Sequence, residues 1–141
     1  MFFSALLSVV CHAECRRAHD EVPHGANELI ELREQTVNRV SGTILVGFGG
    51  SEPAGNVVVE LYRREGNLSV QKTVQQSRVI ACVAGSDGRF SFSGLKSGRY
   101  LLRVGMAEQA GINETYAPII LQSKGKKGKN QGIKIVLQLG T

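Results

Sequence analysis

The sequence predicts an all-β fold, a sandwich of seven antiparallel strands over residues 38–141. Three observations carry this expectation. Beyond Asn38 the apolar runs are short and separated by clusters of Gly, Ser, Asn and Asp, the spacing of strands and turns. Within most runs apolar and polar residues alternate with period two, so each strand has one face for a core and one mixed face. No helical run stands between strands to carry the crossovers of a parallel sheet. A chain of 141 residues suits one domain, and 42% apolar with 21% charged residues is ordinary globular usage despite 17 glycines. No apolar run reaches the roughly 18–20 residues that a membrane-spanning helix needs.

Residues 1–13 carry no charged side chain, and the apolar block from Phe2 to Val10 precedes Cys11-His12-Ala13. That arrangement reads as a signal peptide ending at Ala13, although the basic n-region is missing. A secreted or periplasmic protein is the corresponding expectation. If Cys11 leaves with the leader, Cys15 and Cys82 remain as one pair that an oxidising compartment could join. The competing reading makes Cys82 a buried free thiol, because it sits in the apolar run Val79-Ile80-Ala81-Cys82-Val83. Residues 14–37 are polar and mixed in charge, with Pro23 and Gly25, and read as a linker or a short helix. Asn27 could cap a helix over Glu28 to Gln35, but so few turns are not stable alone, and helix and strand both stay open there.

The seven strands follow in order. Val40 to Val46 is the first, closed by the Gly-rich stretch Gly47 to Gly55 with Pro53. In the second, Val57, Val59 and Leu61 share the core face, leaving Glu60 on the face turned to water. Residues 63–77 are polar and form a long hairpin loop or a frayed edge before the β-branched third strand, Arg78 to Ala84. Gly85-Ser86-Asp87-Gly88 makes a turn, with Gly88 able to take positive φ. Arg89-Phe90-Ser91-Phe92-Ser93 alternates strictly and must bury both phenylalanines. After the corner Gly94 to Gly98, Tyr100, Leu102 and Val104 face the core of the fifth strand and Arg99, Leu101 and Arg103 face away. Tyr116 to Gln122 is the sixth strand, and Ile133, Ile135, Leu137 and Leu139 mark the seventh. The expected core unites Ile44, Val57, Val59, Leu61, Phe90 and Phe92 with Leu95, Tyr100, Leu102 and Val104. Ile119, Leu121, Ile133, Ile135 and Leu137 complete it.

Four segments together carry a family resemblance: Val40-Ser41-Gly42-Thr43-Ile44, Pro53 to Leu61, Ser86 to Leu95, and Gly98 to Val104. In this order they resemble the carboxypeptidase regulatory-like domain, and the most specific part is DGRFSFSGL followed by G-x-Y-x-L-x-V. The resemblance spans residues 38–141 and implies a Greek-key sandwich of the transthyretin (prealbumin) type, an accessory module of secreted, periplasmic or cell-surface proteins. The long connection Gly105 to Thr115 and the lysine-rich loop Ser123 to Gly132 depart from the family pattern.

Catalytic chemistry finds little support. His12, His19 and His24 all precede residue 38, so the predicted body has no imidazole for acid–base or metal work. The peptidase activity associated with the family name belongs to a separate zinc domain. Hydroxyisourate hydrolases share the transthyretin-like fold, but their Tyr-Arg-Gly-Ser ending is absent from Leu137-Gln138-Leu139-Gly140-Thr141. Intradiol dioxygenases hold iron with two Tyr and two His, and this body offers Tyr62, Tyr100 and Tyr116 alone. Asp87 reads as a turn residue and not a calcium ligand, since calcium gathers six to eight oxygens. Gly47-Phe48-Gly49-Gly50 lacks the lysine and helix of a phosphate loop and reads as a β-turn. Asn67-Leu68-Ser69 and Asn113-Glu114-Thr115 match the glycosylation acceptor pattern in expected loops. No catalytic, cofactor or metal residue is assigned.

Charge is unevenly placed. Seventeen Lys and Arg face twelve Asp and Glu, yet no acid follows Glu114 while Lys124, Lys126, Lys127, Lys129 and Lys134 do. The rest of the chain is balanced, which speaks against a dispersed nucleic-acid surface. Lys124, Lys126, Lys127 and Lys129 lie in one glycine-rich loop with no aromatic to stack a base, so a polyanion contact there would suit acidic polysaccharide or anionic lipid. The bland alternative is a solvated turn. The sequence therefore points to a non-catalytic binding or structural module with a protein or carbohydrate partner. A polyanion-binding loop and an enzyme of transthyretin-like fold are the alternatives.

Overall fold

The computed structural model describes residues 10–11, 16–17, 29–47, 50, 52–54, 57–66, 69, 73, 78–106, 114–122 and 132–137. Their elements are strands: β1 (Val10–Cys11), β2 (Arg16–Arg17), β3 (Leu29–Glu31), β4 (Gln35–Val37), β5 (Ser41–Val46) and β6 (Glu52–Pro53), then β7 (Val57–Arg63), β8 (Arg78–Val83), β9 (Arg89–Ser93), β10 (Gly98–Met106), β11 (Glu114–Leu121) and β12 (Ile133–Val136). Each of the seven expected segments contains a strand, as β5 and β7 to β12, but the expected count of seven does not hold: twelve strands build the two sheets among the described residues. The remaining five are short pieces that the alternation pattern is too brief to reveal.

Two sheets result. One runs β1-β9-β5-β12 with β6 also on β5, and the other runs β2-β8-β7-β10-β11-β3 with β4 also on β11. Between them lies one apolar core to which both sheets contribute, including Ile44, Phe90 and Ile135 from the first and Val59, Cys82, Leu102 and Ile119 from the second. All the expected core residues are buried except Leu95, which is half-buried against the cluster. The Phe90 and Phe92 rings lie 6.2 Å apart at 58°, a tilted pair within the favourable range.

The sheets are mixed, which corrects the expectation of antiparallel pairing throughout. β12 runs parallel to β5, and β3 and β4 run parallel to β11. Period-two alternation tells which face a residue takes and nothing about the direction of a neighbour distant in sequence. Hairpins fix direction only where a short turn joins the strands, as turn chemistry cannot act across the long separation of β5 from β12. Gly42 lets these two approach, because a Cβ there would collide with the Ile133 carbonyl.

Of the segment read as a linker or short helix, residues 29–37 form instead the double edge of the second sheet, and most of the earlier part lies outside the described residues. β3 and β4 dock end to end on β11, and the Leu32 N–H donates to the Tyr116 carbonyl at 2.8 Å while the Gln122 N–H donates to the Val37 carbonyl at 2.9 Å. An unpaired β11 edge would leave its backbone groups unsatisfied, and a helix of two turns has little stability to set against that gain. Arg99 adds a half-exposed ion pair to Glu34 at 3.0 Å.

The turns agree with their residues. Gly88 has φ 77°, and its N–H donates to the Gly85 carbonyl at 2.9 Å. Asp87 accepts from the Arg89 N–H at 3.1 Å, the local bond that makes Asp a turn residue. The Gly50 N–H donates to the Gly47 carbonyl at 3.1 Å, and the two residues between them lie outside the described residues. At the corner into β10, the Tyr100 hydroxyl donates to the Lys96 carbonyl at 2.6 Å.

A disulfide joins Cys11 to Cys82, with Cα atoms 6.1 Å apart. Cys82 is buried as expected, but its partner is Cys11 and not Cys15, which lies outside the described residues. Residues 10–11 belong to the folded body here: Val10 pairs with Ser93 and Cys11 with Phe92.

Candidate functional site

Two polar features stand out from the apolar body. The first is a charged cluster in the second sheet. Glu60 on β7 and Arg103 on β10 are register partners, and the Arg103 guanidinium donates through Nη1 to Glu60 Oε1 at 2.9 Å. The Tyr62 hydroxyl, two residues along β7, donates to Glu60 Oε2 at 2.6 Å. Arg103 is 0% exposed, and Glu60 and Tyr62 are each 2% exposed. This corrects the placement of Glu60 in water. The outward face of this sheet is buried around the pair, with Tyr62, Leu101 and Tyr116 forming one apolar group on it and Val58 with Ala81 another, while Val79 at its β8 edge is exposed. On such a face a carboxylate is tolerable only opposite a cation and with both oxygens bonded.

Burial first, and then the bond to Glu60, holds the Tyr62 phenol well above its ordinary pKa; burial also raises that of Tyr100. In the unfolded chain both phenols ionise near 10.0. The folded state thus keeps protons that the unfolded state loses, so the stabilisation is fully present below pH 10 and declines as pH rises beyond it. Denaturant titrations at pH 9 and pH 11 are expected to show this alkaline loss, and Tyr62→Phe to lessen it while costing about 1 kcal/mol at neutral pH. An unchanged alkaline slope in the variant would show that Tyr62 is not its source.

The second feature is an open groove of about 590 Å³ at the crossover between the sheets. Here the chain leaves β4, bends through Asn38 and Arg39 and enters β5, passing from one sheet to the other. Polar lining comes from Asn38, Arg39, Ser41, Ser91 and Ser93, and the apolar wall from Val40, Phe92, Leu95 and Leu121, with Gly94 at one end. Ser41 and Ser91 are register partners on β5 and β9, which brings their hydroxyls into one row. Ser91 is buried, Ser41 and Ser93 are half-buried, and Arg39 is exposed. Among the described residues no hydrogen bond or ion pair occupies the Arg39 guanidinium or the hydroxyls of Ser41 and Ser93. The volume is within the range of small-molecule sites, and the lining, more polar than apolar, sets convergent polar groups against an apolar wall.

The loop residues Lys124, Lys126, Lys127 and Lys129 lie outside the described residues, as do both glycosylation-pattern asparagines. Lys134, the last lysine of that acid-free stretch, is exposed on β12. Sequence reasoning missed the groove because Ser91 and Ser93 read as the solvent face of β9. The one available signal was the repetition of hydroxyls, with Ser41 at the start of β5, but nothing local says that these strands are neighbours. It also missed the ion pair, although opposite charges on the outward faces of two well-marked strands hinted at it.

Among the described residues no three of His, Cys, Asp and Glu gather as a metal-binding group, and no helix is long and apolar enough to cross a membrane. Comparison with protein-family models, with curated proteins and with solved structures finds no match for this chain.

Proposed function

We propose that the chain is a non-catalytic binding module of a secreted, periplasmic or cell-surface system, built on a Greek-key sandwich resembling the carboxypeptidase regulatory-like domain. Supporting that architecture, the seven longer strands divide three and four between the sheets: β5, β9 and β12 against β7, β8, β10 and β11. The observation that carries the function is the lining of the crossover groove. It offers hydroxyls, an amide and a guanidinium beside an apolar wall, and none of these is a base able to take a proton from a serine. Arginine stays protonated and serves as a donor only. Such a set holds a ligand and leaves it unchanged.

The test is amide chemical-shift mapping of the full chain against neutral sugars, sugar acids and short peptides. Saturable shifts at Ser41, Ser91, Ser93 and Leu95, with the ligand recovered intact, are expected. Shifts confined to other surfaces, silence toward the whole panel, or conversion of a ligand would overturn the reading.

The compartment is supported by the Cys11–Cys82 bond, since disulfides persist where the environment is oxidising. Cleavage after Ala13 would remove Cys11, so this support comes from the bond and not from the leader. Digestion of the native protein with trypsin and a glutamyl endopeptidase, which cuts after Glu14, separates Cys11 from Cys15. Under non-reducing conditions a peptide linking Cys11 to Cys82 and an alkylated Cys15 are expected. A Cys82 that alkylates without reduction would remove the argument.

A further inference from the structure

We infer that the crossover groove takes a sugar acid, a hydroxylated ring bearing one carboxylate, such as a single residue of an acidic polysaccharide. This rests on the reading of the groove as a binding site and adds its ligand class. Arg39 supplies the one positive charge of the described lining, which holds no acid. A planar guanidinium fork matches a carboxylate in two parallel hydrogen bonds. Hydroxyls both donate and accept, so Ser41 and Ser93, neither engaged among the described residues, can each meet a sugar hydroxyl whichever way it turns. Asn38 and Ser91 add further polar atoms to the same rim.

The opposite wall explains why the ligand is a ring and not a bare anion. Leu95 is half-buried and continues the apolar surface of Val40, Phe92 and Leu121, which suits the C–H face of a pyranose and gives nothing to inorganic phosphate. A single cation also fits a monoanion better than a phosphate dianion. The volume of about 590 Å³ is ample for one such ring.

The experiment titrates the isotopically labelled full chain with sodium glucuronate, with glucose and with inorganic phosphate, in the parent and in Arg39→Gln. Arg39 is exposed and no hydrogen bond or ion pair engages it among the described residues, so the variant is expected to keep the fold, which the unchanged remainder of its spectrum verifies. Glucuronate is expected to shift Ser41, Ser91, Ser93 and Leu95 saturably and to bind at least about tenfold tighter than glucose, the usual worth of a charge-assisted pair. Arg39→Gln is expected to weaken glucuronate at least about tenfold and far more than glucose, and added salt to narrow the gap between the two in the parent.

Equal affinity for glucuronate and glucose, or an equal loss of both in the variant, overturns the acid assignment and leaves the binding groove standing. Phosphate binding as tightly as glucuronate overturns the sugar part. Absence of shifts at the groove with every probe overturns the ligand class and the binding reading together.

Discussion

Arg103→Leu is expected to destabilise the protein by about 3–5 kcal/mol, because it leaves the Glu60 carboxylate buried without its cation. The pair is fully enclosed, with side-chain exposures of 0% and 2%, so water cannot replace the lost guanidinium. Two further variants separate charge from packing. Glu60→Leu alone strands the arginine and should cost a similar amount, whereas the double variant Glu60→Leu/Arg103→Leu removes both charges and should recover most of the loss. Urea unfolding of the four proteins at neutral pH measures this. Strict additivity of the two single losses would show that the ion pair is not coupled.

Phe90→Ala should cost about 3–5 kcal/mol, the usual range for emptying a phenylalanine site in a core. Phe90 is 0% exposed and packs with Phe92 into the cluster shared by both sheets. Ser93→Ala, on the alternate face and half-buried, should change stability by about 0.5 kcal/mol or less. Comparable losses at the two positions would mean that β9 is placed one residue out of register. Ser91→Ala is a poorer control than the alternation suggested, since Ser91 is buried too.

The Glu60 placement shows where sequence reasoning ran out. Along β7, Val57, Val59 and Leu61 claim the core, and the pattern correctly sends Glu60 and Tyr62 to the other side. Calling that side solvent assumed that a sheet has one dry face. In this molecule Val58, Glu60 and Tyr62 are all buried, as are Leu101 and Arg103 on β10. Leu101 and Tyr62 were the warning, being large apolar groups on a face taken to be wet. Likewise the residues from Glu28 to Gln35 suit either helix or strand on their own, and the β11 edge selects strand for Leu29–Glu31 and Gln35–Val37.

Local forces settle what is legible along the chain: a strand in each of the expected segments, the core residues along them, and the turn at Gly85 to Gly88. Each follows from forces acting over a few residues, alternation against an apolar interior and backbone freedom at glycine. The tertiary structure alone decided which strands are neighbours and in which direction. From that came the parallel pairing of β12 with β5, the bond of Cys82 to Cys11, the meeting of Arg103 with Glu60, and the gathering of Arg39 with serines from two strands. These contacts join residues far apart in the chain, where no local preference acts and the outcome depends on satisfying every edge, charge and buried face together.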